Sequence, residues 1–342
     1  MNDPAESGRT SDKDFHLKAV AQATENKTLW WESMSLKNYI ALARPDHWAK
    51  NVFILPGTLI AWIYSTEVHE SLLLRLFICL TAASLIASAN YTMNEWLDRS
   101  FDKYHPLKKN RPSVTKNIQG KYVVLQYIVL SLIGLYLGSL LSFEFELTLL
   151  FFLFMGVVYN VKPLRSKDRV FMDVLSESIN NPIRLILGWF VVTNHTFPPS
   201  SLLMGYWFGG AYLMNVKRLA EYRFIGDPEQ AGLYRRSFRF YDEELLTISS
   251  IFYAMTASLF LGIFLVKHRI ELILAFPFIS LLFTWYFKIG LRKYSAAMNP
   301  EHLYKEKKFM AYVILMAFIF IALLLLDIPS LNIFLRQSFP EL

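Results

Sequence analysis

Across its 342 residues the sequence has one cysteine, Cys79. A single thiol excludes an intrachain disulfide framework and a cysteine-built metal site. Lying inside an apolar run, Cys79 reads as a small buried filler. Charge is scarce too: Asp, Glu, Lys and Arg make up 18% of the chain, against about 25% in an ordinary soluble domain. The shortfall is uneven, with long apolar runs alternating with short charged loops, the pattern of a membrane protein. The start, MNDPAESGRTSDKDFHLKAVAQATENKT, lacks the apolar stretch of a secretory signal and is expected to be a mobile polar tail over 1–29.

Apolar residues are abundant, at 54%, with 16% aromatics. Residues 30–43, with Trp30, Trp31, Met34, Leu36, Tyr39, Ile40 and Leu42, read as an amphipathic helix lying in the interface. The apolar runs give nine expected spans: 52–65, 72–93, 122–143, 145–161, 171–193, 201–219, 245–266, 270–290 and 309–333. No lengthy soluble insertion interrupts them. The expected architecture is therefore all-α: one polytopic bundle of nine transmembrane helices over 44–335, then a short tail over 336–342. Loops after the even-numbered spans hold 23 Lys and Arg, and those on the other side hold 4. Such an excess marks the cytoplasmic side. It puts the N-terminus inside and the C-terminus outside a cytoplasmic (inner) membrane, which requires an odd number of spans. It also absorbs much of the net charge of +7, so no nucleic-acid partner is called for.

Where the second span reaches the cytoplasm, Asn90, Asn94, Asp98 and Asp102 recur every four residues. On a helix that spacing makes one polar stripe. Stacked carboxylates repel unless a cation sits between them. Mg2+ suits the position, since it takes one or two carboxylates and completes its shell with water and substrate phosphates; the bland reading is a solvated helix end. His105, Lys108 and Arg111 follow and can neutralise phosphate oxygens. A second cluster holds Tyr159, Lys162, Asp173, Glu177, Asn180, Asn181 and Arg184, with Asp168 read as a loop charge. Arg184 lies deep in a span, where an arginine meets a carboxylate or an anionic ligand; the ligand is favoured. A third cluster holds Lys217, Arg218 and Glu221, followed by Arg235, Arg236 and Arg239. Arg44, His47, Lys50 and Asn51 stand at the mouth of span one. These clusters converge on one membrane face. They suggest a cytoplasm-facing cavity for a phosphorylated substrate, walled by helices suited to a lipid tail.

Asn94-x3-Asp98-x3-Asp102, the later Asp173 after Tyr159 and Lys162, and nine spans together resemble the UbiA superfamily of intramembrane prenyltransferases, over roughly residues 37–335. Four stretches, RPDHWAKN (44–51), HPLKKNRP (105–112), KRLAE (217–221) and RRSFRFYDEELL (235–246), resemble one branch, the decaprenyl-phosphate phosphoribosyltransferases. The resemblance implies phosphoribosyl diphosphate as donor, a polyprenyl phosphate as acceptor, and Mg2+ between the aspartates and the donor diphosphate. Asp98 and Asp102 would hold the metal, with Asn94 and Glu95 beside them; Lys108 and Arg111 would grip phosphates, and Asp173 would contribute from a second motif. Arg44, Lys50, Asn90, His105, Tyr159, Lys162, Glu177, Arg184, Lys217, Arg218 and Glu221 complete the expected substrate-binding set. Two positions depart from the pattern: Glu95 stands where the branch usually has Asp, and Glu177 where the superfamily's second motif usually has a second Asp. A homo-oligomer is compatible with the sequence. Two other classes stay open, a prenyltransferase with an aromatic acceptor and a transporter or lipid flippase. The near absence of charge on the outer loops argues against a path through the membrane.

Overall fold

The computed structural model describes residues 36–65 and 71–331. Residues 1–29, Trp30, Trp31, Met34 and the tail 336–342 lie outside them. Among the described residues the chain is entirely helical, with no strand.

The first described helix, α1 (Leu36–Ala43), buries Tyr39, Leu42 and Ala43 and exposes Leu36 and Ile40. It is the C-terminal part of the expected interfacial helix, and it is amphipathic as expected. A 3-10 segment, Pro45–Ile54, leads into α2 (Leu55–Tyr64), whose first turn takes Pro56 where no backbone donor is needed. Then come α3 (Leu72–Asp102), α4 (Pro112–Thr115), α5 (Gly120–Ser139) and α6 (Phe143–Asn160). The α5–α6 boundary is set by Ser142, whose hydroxyl accepts the Phe145 N–H at 3.2 Å. Glu144 and Glu146 lie in the first turn of α6, where the helix dipole favours them. The rest comprises α7 (Met172–Ser178), α8 (Asn180–Val192), α9 (Ser200–Ile225), α10 (Pro228–Tyr234), α11 (Glu243–His268), α12 (Phe276–Gly290) and α13 (Lys307–Leu325). Gly226, at φ 71°, ends α9 in the left-handed conformation that glycine adopts without strain.

Among the described residues six helical stretches are long and apolar enough to cross a membrane: α3, α5, α6, α11, α12 with the turn before it, and α13. Three of the nine expected spans fall short of that measure for identifiable reasons. The first is α2, with ten residues after a 3-10 segment. The fifth is split at Ile179 into α7 and α8, with Pro182 in the first turn of α8. The sixth, α9, is long enough at 26 residues, but Ser200, Ser201, Gly205, Gly209, Gly210 and Asn215 dilute its apolar content, and Lys217, Arg218 and Glu221 follow in its last turns.

The core lies where α2, α3, α6 and α8 meet, around Ile54, Ile86, Phe145, Leu149, Ile183 and Leu187. In lipid, burial alone does not drive helices together; close backbone packing and hydrogen bonds do. The α2–α8 contact has both. A Cβ on Gly57 would stand 2.1 Å from the Leu185 carbonyl oxygen, and one on Gly188 2.1 Å from that of Ile54. Thr58 donates to the Gly188 carbonyl at 3.1 Å. On the outer side, α5 exposes Leu125, Ile128, Leu132 and Tyr136, an apolar surface that only lipid would cover without cost.

Candidate active site

The helix that carries the aspartate stripe, α3, runs nine residues past the expected end of its span, so Asp98 and Asp102 ride on rigid backbone. Both line a cleft with Arg165, Lys167, Tyr234 and Arg235. Asp98 Oδ1 meets Arg165 Nη2 at 2.9 Å and Lys167 Nζ at 2.6 Å. Asp102 Oδ2 meets Arg111 Nη1 at 2.7 Å. Lys167 is held further by Asn94 Oδ1 at 2.9 Å and Asn160 Oδ1 at 2.7 Å. Burial lowers the Lys167 ammonium to about 8, against the pull of Asp98.

Behind the cleft lies a network of buried ion pairs. Arg218, 1% exposed, binds Asp173 at 3.3 Å, Glu177 at 2.7 Å and Glu221 at 3.2 Å. Tyr159 donates to Glu177 at 2.6 Å. Lys108 reaches Glu221 at 2.6 Å and the Tyr234 hydroxyl. Burial opposes the Lys108 charge, but Glu221 and Tyr234 prevail and raise its pKa.

Several expected site residues take other places. Asn90 leaves the stripe: its amide donates to the Phe152 carbonyl at 3.0 Å and packs on Gly156, where a Cβ would stand 2.0 Å from its Oδ1. It clamps α3 to α6. Glu95, expected among the metal ligands, is buried against Arg111 at 2.9 Å and Arg44 at 3.3 Å. Arg44 thus spends its charge there and on Asp46. Asn94, expected at the metal, accepts from Lys167 on Oδ1 at 2.9 Å. Asp173 is fully buried, 0% exposed, and outside the cleft. Arg184 donates to Asn51 Oδ1 and to the Asn180 carbonyl, both at 3.0 Å, so neither a carboxylate nor an open cavity receives these donors. His105 accepts the backbone N–H groups of Leu107 and Lys108 on Nδ1, at 3.1 and 3.2 Å. Burial and the nearby Lys108 push it down to about 3. It braces the loop through Nδ1 and does not line the cleft. Lys162 is exposed and does not line the cleft. Lys50 lies 2.9 Å from His47 Nδ1, and Lys217 is half-buried on α9.

The cleft residues missed from sequence are Phe101, Arg165, Lys167, Asp168 (read there as a loop charge), Tyr234 and Arg235. The signal for Arg165 and Lys167 was the charge-dense run RSKDR (165–169), read only as topology charge. Arg165 adopts φ 25°, and the reversed chain sends Arg165 and Lys167, not Lys162, toward α3. Arg235 stood in a quoted motif without a role.

The donor set fits Mg2+. The hydrogen bonds received by Asp98 and Asp102 fall on one oxygen of each, leaving Asp98 Oδ2 and Asp102 Oδ1 without one among the described residues. Among those residues no three His, Cys, Asp or Glu side chains form a ready metal cage. Mg2+ draws most of its shell from water and substrate phosphate.

The chain is 24% identical over 236 residues to the nodulation protein NoeC of Azorhizobium caulinodans, covering 69% of this chain and 74% of that one. It is 25% identical over 232 residues to the protoheme IX farnesyltransferase of Alkalihalophilus pseudofirmus, covering 65% and 74%. A solved UbiA homolog from Archaeoglobus fulgidus, bound to GPP and Mg2+, superposes with a TM-score of 0.63 at 20% identity, covering 84% of this chain and 100% of that one. The model of the UbiA prenyltransferase family matches residues 53–313, most of the chain, and the chain therefore belongs to that family.

Proposed function

We propose that the chain crosses the cytoplasmic membrane nine times and moves a 5-phosphoribosyl group from phosphoribosyl diphosphate to a polyprenyl phosphate at the cytoplasmic face, in the synthesis of an arabinose-type cell-envelope precursor. The observation that carries this reading is a further group of lysines beside the aspartate cleft. Lys217 makes no hydrogen bond or ion pair among the described residues, and its charged neighbours include Lys50 and Lys108 as well as Glu177 and Glu221. Glu221 is already paired with Lys108 and Arg218, and Glu177 with Arg218, which leaves Lys217 as the cation that a further anion would meet. A phosphoribosyl donor has phosphate at both ends of its ribose and calls for two cation sets. A prenyl diphosphate is charged at one end only.

Asp98 and Asp102 would hold Mg2+, which when bound would neutralise the diphosphate and favour its departure. The chain's own part is electrostatic. Arg165 and Lys167 fix Asp98, Arg111 fixes Asp102, and the cleft's guanidinium groups face the developing negative charge. The bond from the anomeric carbon to diphosphate breaks, its electron pair leaving with the diphosphate. An oxygen of the lipid phosphate forms the new bond, with inversion. That oxygen is already an anion, so no side chain has to take a proton from it. The surrounding helices exclude water, which would otherwise hydrolyse the donor.

A second reading, transfer of a prenyl chain from its diphosphate to an aromatic acceptor, draws support from relatives named as farnesyltransferases and from a solved relative bound to GPP. Purified protein is incubated with Mg2+, ribose-labelled phosphoribosyl diphosphate and polyprenyl phosphate, and separately with a labelled prenyl diphosphate and an aromatic acid. Label in lipid is expected in the first mixture, and Asp98→Asn is expected to reduce it about 10²-fold or more. Transfer in the second mixture alone would replace the proposal with the second reading.

A further inference from the structure

The segment between α9 and α11, residues 226–242, folds back over the aspartate cleft as a strap. Gln230 donates to the Tyr104 carbonyl at 2.9 Å, Tyr234 meets Lys108, and Arg236 lies 3.6 Å from Asp168. The strap's deepest attachment is to Asp173. Ser237 donates to Asp173 Oδ2 at 3.1 Å and Tyr241 donates to Oδ1 at 2.9 Å. The same Tyr241 hydroxyl accepts the backbone N–H of Phe171 at 2.7 Å. Phe171 stands at φ 62°, a conformation that costs a non-glycine residue free energy and persists only where its surroundings enforce it. Tyr241 therefore clasps together the strap, Asp173 and the end of the loop that delivers Arg165 and Lys167.

Between these attachments sits Arg235. It lines the cleft beside Asp98 and Asp102. Its only hydrogen bond among the described residues is from Nη1 to the Tyr159 hydroxyl at 3.4 Å, with Asp173 Oδ2 3.8 Å away. Its Nε is buried with no partner. Arg218, by contrast, spends Nε, Nη1 and Nη2 on three carboxylates. A guanidinium has five N–H donors, and leaving them buried and unused is costly. Arg235 is the cleft guanidinium with donors to give.

Resting on the reading of this cleft as a site for a diphosphate-bearing substrate, we infer that Arg235 is a catalytic residue that binds the substrate's phosphate oxygens, and that Asp173, with Ser237 and Tyr241, is the positioning latch that aims it there. Asp173 acts through the strap and does not touch metal or substrate.

The test uses the full chain in lipid nanodiscs and labelled inorganic diphosphate with Mg2+ as the probe. Arg235→Ala is expected to weaken diphosphate binding about tenfold or more, the order of a lost charge-assisted hydrogen bond, with Arg235→Lys intermediate. Asp173→Asn and Tyr241→Phe are expected to weaken it too, yet to add little once Arg235 is Ala, as members of one coupled unit do. Hydrogen exchange over 226–242 should rise in both latch variants and stay as in the wild type in Arg235→Ala. If Asp173→Asn does not fold, Tyr241→Phe carries the test alone. Wild-type binding in Arg235→Ala, independent multiplying effects of latch and arginine, or no diphosphate binding by the wild type would each overturn the inference. Both donor classes carry a diphosphate, so failure of phosphoribosyl transfer would sink the donor reading and leave this result standing.

Discussion

Lys167 shows how one side chain sets the working range of the cleft. It is held by Asn94, Asp98 and Asn160, with Arg165 and Arg235 as cationic neighbours and the Tyr159 ring beside it. Burial brings it to about 8, below the ordinary lysine value. Its positive charge is present below that pH and lost above it. Once it is neutral, Asp98 keeps only Arg165 as a close counter-charge and the cleft attracts an anionic donor less strongly. The expected outcome is a fall in kcat/KM for the donor as pH rises through about 8, approaching tenfold per unit. In Lys167→Arg, whose guanidinium stays charged, that fall should vanish; an identical alkaline limb in both proteins would show that another group titrates. The sequence put Asp98 and Asp102 on one helix face and both line the cleft, because the i,i+4 rule holds over one turn. It misplaced Asn90, because four residues overshoot a turn of 3.6 by about 40°. Three such steps carry Asn90 about 120° round from Asp102 and onto α6. Lys167 was not legible because its position depends on the backbone reversal at Arg165, which the residue types do not announce.

At the scale of helices, the same cleft depends on how tightly α2 and α8 cross. Gly57, Gly188 and the Thr58 bond let backbones touch, which places Asn51, just before α2, beside Arg184 of α8. A methyl group at Gly188 would lie 2.1 Å from the Ile54 oxygen and 2.9 Å from the Thr58 nitrogen. Both are backbone atoms, so the helices themselves must part. Gly188→Ala is expected to cost about 1–3 kcal/mol and to lower the thermal midpoint in detergent by several degrees. Gly209→Ala is the control, since a Cβ there meets nothing within 4 Å. Equal midpoints for the two variants would remove the close crossing as a source of stability. Most helices were legible as apolar runs, and α5, α6, α11 and α13 begin and end within a few residues of the expected bounds apart from the last turns of α5 and α13. The 3-10 segment before α2 and the break at Ile179 were not, because hydropathy records composition and is blind to how the backbone is wound.

The molecule as a whole has two chemically different ends. At one, the loops after α3, α6 and α9 meet in ion pairs: Lys108 with Glu221, Arg165 with Asp98, and Arg236 with Asp168. At the other, the long polar side chains bind backbone carbonyls at helix ends: Arg75 to Val191 at 2.7 Å, Tyr64 to His268 at 3.1 Å and Arg269 to Leu324 at 2.7 Å. Basic loops stay in the cytoplasm, and the proposed donor is a soluble phosphorylated molecule of that compartment, so the proposal has the ion-paired end facing inward. The one native thiol, Cys79, is fully buried, which makes engineered cysteines clean reporters of side. Lys109 and Arg292 are exposed at the basic end, and His195 and Lys267 at the other. In intact cells a membrane-impermeant maleimide should label His195→Cys and Lys267→Cys and spare Lys109→Cys and Arg292→Cys until the membrane is opened. The reverse pattern would turn the active site outward. Mixed labelling within either pair would break the alternation on which nine crossings depend, and with it the argument that the cleft opens onto the cytoplasm.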